Sequence, residues 1–482
     1  MPIQLMRLMA IPGAALACVF LVFASCSVFI FNDHLQFPFF ILSGVTGLIS
    51  LVLWHIQLKR TNNFNFKIKF APIFAVASWV LVGLLASLPF ILVLHLPFYQ
   101  AMFESFSAIS TTGATVITDL DSLPETILLY RQFLQWLGGL GIVIFVVAVL
   151  PNLNIGGMKL LKAEVPGPIK NEKLAARTKN SAHYLWGVYV LLTVACAIMY
   201  RLFGMSSFDA IAHSLSTVST GGFSTHNDSF GYFHSETLYV ISDVFMILGA
   251  LNFGLLFISF QSKSLKQLFN NEETKTFLAI IIFVSFCAAG ILIFKANGHG
   301  LSTINHAVFI TISFITSTGF GAEDFTNWPT AVLFLLVISA YLGGCSGSTA
   351  GGGKIIRAIV LFKIVRRQMK LLIHPRGVFQ VRYQGRPIDE SVLSNTLAFV
   401  FFVIISTVIL AFLLMIDGLD VWTALTAVAA CLNVLGPAFG SLSENFSSLN
   451  NFDLSILSFA MVLGRLEYLT VILLFLPGFW RK

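Results

Sequence analysis

Ser110-Thr111-Thr112-Gly113-Ala114 returns three times along the chain, as Ser219-Thr220-Gly221-Gly222-Phe223, Thr316-Ser317-Thr318-Gly319-Phe320 and Asn433-Val434-Leu435-Gly436-Pro437. The match extends backwards without gaps. Ala101, Ala210, Ala307 and Ala424 stand twelve residues before the glycines, and Ser107, Ser216 and Ser313 stand six before, with Ala430 at that place in the fourth copy. Each copy closes a moderately apolar segment, at 98–110, 208–219, 304–316 and 421–433. As a helix rising 1.5 Å per residue, such a segment reaches about 18 Å, half a bilayer.

Long apolar runs flank these segments, near 10–31, 38–57, 71–94, 129–150, 182–203, 236–260, 276–295, 328–342, 392–416 and 452–478. Of the 482 residues 57% are apolar and 11% charged, and the mean hydropathy is +0.86. A water-facing surface needs roughly 25% charged residues, so soluble enzyme classes are excluded and the chain reads as a polytopic membrane protein. The run from Trp328 to Leu342 enters Gly343-Gly344-Cys345-Ser346-Gly347-Ser348-Thr349-Ala350-Gly351-Gly352-Gly353 and resumes at Ile355. This is a span broken inside the membrane, where irregular backbone survives only if protein buries it or it lines a watery cavity.

The net charge of +7 is segregated by side. Residues 157–180 carry Lys159, Lys162, Lys170, Lys173, Arg177 and Lys179, and residues 357–386 carry eight Lys and Arg from Arg357 to Arg386. Residues 95–128, 204–235, 297–327 and 417–451 carry neither, while holding Glu104, Asp119, Asp121, Asp209, Asp228, Glu323, Asp324, Asp420 and Glu444. By the positive-inside rule the basic connections and both termini are cytoplasmic and the short segments face outward. A nucleic-acid site would not alternate in sign with side, so no nucleic-acid partner is expected. The six cysteines are scattered singly and read as packing residues. The first run is too long for a signal-peptide core and a second follows at once, so it reads as a span.

Four like-oriented units in one chain imply a central pseudo-fourfold axis lined by the quoted turns, which offer carbonyls and hydroxyls and no fixed charge. That chemistry suits a dehydrated monovalent cation, whose water shell several oxygens must replace. A glycine free to take positive φ lets extended backbone aim its carbonyls. Rings of Asp or Glu would suit divalent ions and rings of Arg or Lys anions. Lys354 ends a glycine run, but Ser348 and Ile355 break the phosphate-loop pattern. Arg465 stands in an apolar run and should face the interior. Glu467, Asp243 and Asn252 are further polar candidates within spans. No His, Cys and carboxylates cluster at a shared depth, which argues against a membrane enzyme.

These turns, the extra N-terminal pair of spans and the break at Gly343–Gly353 resemble the Trk/Ktr/HKT superfamily of potassium uptake proteins, and within it the membrane subunits of bacterial Trk systems. The resemblance covers nearly the whole chain. It implies an all-α polytopic membrane protein of the inner membrane: two N-terminal helices (1–70), then four repeats of span, pore helix, filter loop and span (71–180, 181–274, 275–390, 391–482) around a pseudo-fourfold pore. It implies a potassium filter at Thr111, Thr112, Gly113, Thr220, Gly221, Gly222, Thr318, Gly319, Val434, Leu435 and Gly436. It implies a gate at Gly343, Gly344, Ser346, Gly347, Ser348, Gly351, Gly352, Gly353, Lys354 and Arg465. Potassium would be the transported ion and no other cofactor is expected. A homodimer whose cytoplasmic face docks a nucleotide-binding regulatory ring is implied as well. Val434-Leu435, where the other turns have Thr or Gly, predicts weaker selectivity than a strict fourfold channel. The competing expectation is a symporter coupled to protons or sodium, with Glu467 or Asp243 as the titrating group.

Overall fold

Each of the four repeated segments folds as a helix too short to cross a bilayer: Phe98–Ser110, Ser207–Val218, Leu301–Ile315 and Val421–Leu432. Their starts are written locally. Pro97 precedes the first; the Ser206 and Asp420 side chains accept from the Asp209 and Thr423 amides, at 3.0 and 3.1 Å, and so satisfy otherwise open donors. The computed structural model describes residues 3–55, 70–141, 178–295, 300–322, 325–466 and 468–480. The basic stretch 157–177, Glu323, Asp324 and Glu467 therefore lie outside the described residues.

Ahead of the first short helix, Ile3–Cys26 and Gln36–His55 pack closely as a pair, with Ser43 Oγ donating to the Ala17 carbonyl at 2.8 Å. A helix leads into each short helix: Phe70–Ala86 continued by Leu88–Val93, then Thr178–Leu202, Glu272–Lys295 and Glu390–Ile416. A helix also leaves each: Glu125–Trp136, Glu236–Ala250, Thr330–Leu342 and Asn451–Arg465. Exposed Phe283, Phe286 and Phe294 on Glu272–Lys295 show that the outer helices are built for an apolar solvent.

Among the described residues six helices are long and apolar enough to cross a membrane, or up to eight if each bent pair counts as one span. All four departing helices break or change pitch. The first widens into a π turn at Leu137–Gly141; the second bends by 101° into Phe253–Gln261; the third stops at Leu342 and restarts as Ile355–Ile373; the fourth bends by 114° toward Tyr468–Ile472. The third break carries the glycine run Gly343–Gly353, and the π turn itself holds Gly138, Gly139 and Gly141. A second departure from an all-α chain is the hairpin Arg382–Tyr383 with Arg386–Pro387. Gln384 and Gly385 both take positive φ, as a two-residue hairpin turn requires.

Two buried apolar clusters fill the interior. One joins the N-terminal pair to the first and fourth units, through Phe20, Phe106, Leu432 and Leu457; the other joins the second and third, through Tyr200, Phe245, Phe309 and Leu336. Between the clusters, three departing helices cross the end of their own short helix at a glycine. Gly138 lies against the Ile109 carbonyl, Gly249 against that of Val218 and Gly464 against that of Leu432. The three carbonyls belong to the residues just before Ser110, Ser219 and Asn433.

A side chain at Gly138 would meet three backbone atoms of Ile109, which cannot swing away. Gly138→Ala should therefore cost about 1–3 kcal/mol through overpacking. A lowered thermal unfolding midpoint in detergent is the expected result, while Gly187→Ala, with open space around it, should leave the midpoint in place.

Candidate ion pathway

The four short helices end in the same way. Thr111, Thr220, Ser317 and Val434 take left-handed φ of 63°, 53°, 53° and 57°. The next residue then donates to the carbonyl five back: Thr112 to Ser107 at 2.9 Å, Gly221 to Ser216, Thr318 to Ser313 and Leu435 to Ala430, each at 2.8 Å. This closes the helix by the 6→1 bond of a Schellman motif. Left-handed φ at Thr and Val is costly, on the order of 1–2 kcal/mol per residue, so tertiary contacts must hold these turns. The glycines follow at φ of 84°, 79°, 83° and 98° for Gly113, Gly222, Gly319 and Gly436.

Those glycines close a ring. A side chain on Gly113 would strike the Gly221 carbonyl, one on Gly222 that of Thr318, one on Gly319 that of Leu435 and one on Gly436 that of Thr112. Each glycine thus stands against the residue that precedes the next glycine, in the order first, second, third, fourth and back to the first. All four line a single cavity of about 720 Å³, together with Asn227, Asp228, Glu444, Asn445 and Arg131.

The other side of the ring is covered. Thr349 Oγ1 donates to the Val218 and Gly249 carbonyls at 3.1 and 2.9 Å and lies 3.3 Å from Thr220 Oγ1. The Gly351 amide donates to Ser317 Oγ at 2.5 Å, and Gly351 also abuts Asn433 and Val434 of the fourth turn. Arg465 reaches the first turn, donating to Thr111 Oγ1 at 3.2 Å, to the Thr349 carbonyl at 2.9 Å and to the Gly138 carbonyl at 2.7 Å, with Gly139 as a further acceptor.

The loop Gly343–Gly353 is seated in the bend of the second unit. Cys345 and Thr349 amides donate to Ala250 and Gly249 carbonyls at 2.9 and 3.3 Å, and the Phe253 amide donates to Gly347 at 3.1 Å. Asn252 Nδ2 donates to the Ser346 carbonyl at 2.5 Å. Lys354, at φ 66°, turns its ammonium back onto the Ala350 carbonyl.

With this geometry in hand, comparison with known proteins is direct. The family described as TrkH, cation transport protein, matches residues 36–482. The Trk system potassium uptake protein TrkH of Halomonas elongata is 42% identical over 464 residues, covering 94% of each chain. TrkH of Escherichia coli K12 is 40% identical over 437 residues, 90% of each. The crystal structure of the potassium transporter TrkH from Vibrio parahaemolyticus superposes with a TM-score of 0.89 at 34% identity over 100% of both chains. The chain belongs to the TrkH family. It is a membrane transport protein and not an enzyme.

In this TrkH-family chain every residue named from sequence for the filter lies in the four turns of the ring, and Thr349 joins the glycine loop to Arg465. Ser317, absent from that set, is the structural equivalent of Thr111, Thr220 and Val434. Asp243 is buried in Glu236–Ala250 and is not among the residues lining the outer cavity, and its Oδ1 has no hydrogen-bond partner among the described residues. Asn252 clamps the Ser346 carbonyl of the glycine loop.

Sequence reasoning passed over the braces behind the ring. Gln135 Nε2 donates to the Gly221 carbonyl at 2.5 Å, while its Oε1 accepts from Ser216 Oγ and the Phe223 amide at 2.6 and 3.2 Å. Arg131 pairs with Glu104 at 2.6 Å with both side chains buried, donates to Thr115 Oγ1 at 3.2 Å and lies 4.1 Å over the Phe223 ring. Glu104, counted above only as an outward-side acid, also accepts from the Thr115 hydroxyl and the Val116 amide at 3.0 Å. Polar residues at 131, 132 and 135 within an apolar run were the available signal.

Arg131→Met would strand the Glu104 carboxylate in the interior. The expected loss is about 3–5 kcal/mol, read as a fall in unfolding midpoint, with Glu104→Gln plus Arg131→Met recovering part of it.

Outside the ring, His226 Nδ1 lies 2.5 Å from Asp121, and Nε2 lies 3.5 Å from Asp209, a charge contact rather than a hydrogen bond. Burial alone would lower the His226 pKa, but the two carboxylates outweigh it and hold the imidazole above its ordinary 6.5. A raised folded-state pKa contributes stability that is complete below pH 6.5 and disappears as pH rises through the folded-state value. Across that window the unfolding midpoint should fall more steeply for the unmutated chain than for His226→Gln; parallel slopes would show that the pair contributes nothing.

Proposed function

We propose that this chain takes up potassium across the bacterial inner membrane, both termini cytoplasmic, along the axis of the four glycine turns. The observation that carries this reading is the cyclic contact of Gly113, Gly222, Gly319 and Gly436 at the floor of one outer cavity. A ring of four equivalent turns surrounds one path, and its residues offer oxygens without fixed charge, as a dehydrated monovalent cation requires. The relatives' names as potassium uptake proteins supply the ion. Asp228 and Glu444 at the cavity wall favour cations over anions there, while the Arg131 charge is taken up by Glu104.

The glycine loop and Arg465 are the barrier in this reading, in a closed arrangement. Thr349, Gly351 and Arg465 touch all four turns from below, and Arg465 is held by neutral oxygens, which leaves its positive charge on the path of the ion. Gly and Ser can rearrange at small conformational cost. The irregular Val434 and Leu435 keep the same backbone conformation as the other turns, so any weakness in selectivity arises from their lacking hydroxyls rather than from a misplaced backbone. A second copy and a nucleotide-binding regulatory ring on the basic cytoplasmic face complete the proposed assembly. Coupled symport is the second reading, favoured by the buried Asp243 carboxyl with its open Oδ1.

Rubidium and sodium flux into proteoliposomes holding the full chain decides between them. A downhill rubidium flux indifferent to pH and sodium gradients is expected, together with lost discrimination in Gly113→Ser, where a side chain would meet the Gly221 carbonyl at a φ that suits glycine. Rubidium accumulated against its gradient only when protons or sodium run downhill, and abolished in Asp243→Asn, would establish symport instead.

A further inference from the structure

Glu272 and Glu273 open the helix Glu272–Lys295, and their carboxylates engage different parts of the protein. The helix end does not need them as caps, because Asn271 Oδ1 already accepts from the Glu273 and Thr274 amides at 2.9 and 3.2 Å. Glu273 is buried, and its Oε1 accepts from the Ser346 amide in the glycine loop at 2.6 Å. With Asn252 holding the Ser346 carbonyl, that one peptide position is gripped on both sides. Glu273 and Asn252 thus hold the amide and the carbonyl of Ser346 from two different helices.

Glu272 looks the other way. It pairs with Lys363, and its Oε2 accepts from the Gln384 amide in the turn of the hairpin at 3.2 Å. Lys363 also donates to the Arg382 carbonyl at 2.8 Å and lies 5.5 Å over the Tyr383 ring. The hairpin turn itself is exposed. One short path therefore runs from an exposed hairpin through two adjacent backbone units to the loop beneath the ring.

We propose that Glu272 and Glu273 form a relay in which Glu273 is a positioning residue for the glycine loop and Glu272 ties that position to the hairpin Arg382–Pro387. A load on the hairpin, such as an acidic partner surface binding Arg382 and Arg386, then shifts the loop across the ion path. The relay deepens the reading of the loop as barrier and rests on it.

The test uses the full chain in proteoliposomes, with two readouts: rubidium flux, and maleimide labelling of Cys345, which is buried in the loop, followed by peptide mass spectrometry. Glu273→Ala should raise flux roughly tenfold, the loss of one buried hydrogen bond holding the closed loop, and should speed Cys345 labelling. Glu273→Gln, which keeps an acceptor, should do less. Glu272→Ala, which touches the hairpin and not the loop, should act in the same direction, and the double variant should do no more than Glu273→Ala alone. If Glu273→Ala does not fold, Glu272→Ala and Lys363→Met, at partly exposed sites, carry the test. Unchanged Cys345 labelling in Glu272→Ala, or multiplying effects in the double variant, would overturn the relay. Absent rubidium flux in the unmutated chain and in Gly113→Ser, with Cys345 labelling still responsive, would sink the pathway reading and leave the relay standing.

Discussion

A backbone carbonyl or amide left open inside an apolar surround must find a partner, and this protein has many such groups at one depth. Four short helices stop there, three longer helices break there and a fourth passes into a π turn. The two sets of open groups answer one another. Bending at Leu251–Asn252 frees the Gly249 and Ala250 carbonyls, and the broken third span supplies Thr349 and Cys345 amides to them. In the π turn after Trp136 the Gly138 and Gly139 carbonyls accept from the Arg465 guanidinium. Each irregularity would be costly alone; together they form a layer of satisfied polar backbone.

The same layer explains why the turns can hold strained residues. Left-handed Thr111, Thr220, Ser317 and Val434 survive because the next amide closes each helix and because contacts from below pin the turn. Glycine is then required for a reason beyond φ. Each ring glycine meets the backbone of its neighbour, so a methyl group anywhere in the ring would push two turns apart. Packing at native density leaves no slack to absorb that.

Around this symmetric centre the support is unequal. The second turn is braced by Gln132 and Gln135 from the first unit, and Arg131 bridges the first turn's Thr115 to the second turn's Phe223. The first and fourth units share one apolar cluster, the second and third another. The seams between these halves are where polar groups do the joining: Arg465 across to Thr349, and Gln135 across to Gly221. Rearrangement of the covered underside would use those polar seams, since hydrogen bonds to carbonyls can be exchanged while a close-packed apolar cluster resists repacking.

The sequence by itself determined the half-length helices, their common register, the ring glycines and the interrupted third span. Those features are local: a 3.6-residue period, a membrane-spanning length and glycine's access to positive φ are all properties of neighbouring residues. It also marked Asn252 and Arg465 as polar groups out of place. Only the tertiary structure decided that the second and fourth departing helices bend as the third breaks, because nothing near Leu251 or Leu466 forbids a straight helix until the glycine loop and the turns offer partners. The pairing of Glu104 with Arg131, of Gln135 with the second turn and of Glu273 with Ser346 was equally unreadable. Such contacts join residues far apart in the chain, and which distant donor meets which open carbonyl is settled by the closing of the ring and not by any local pattern.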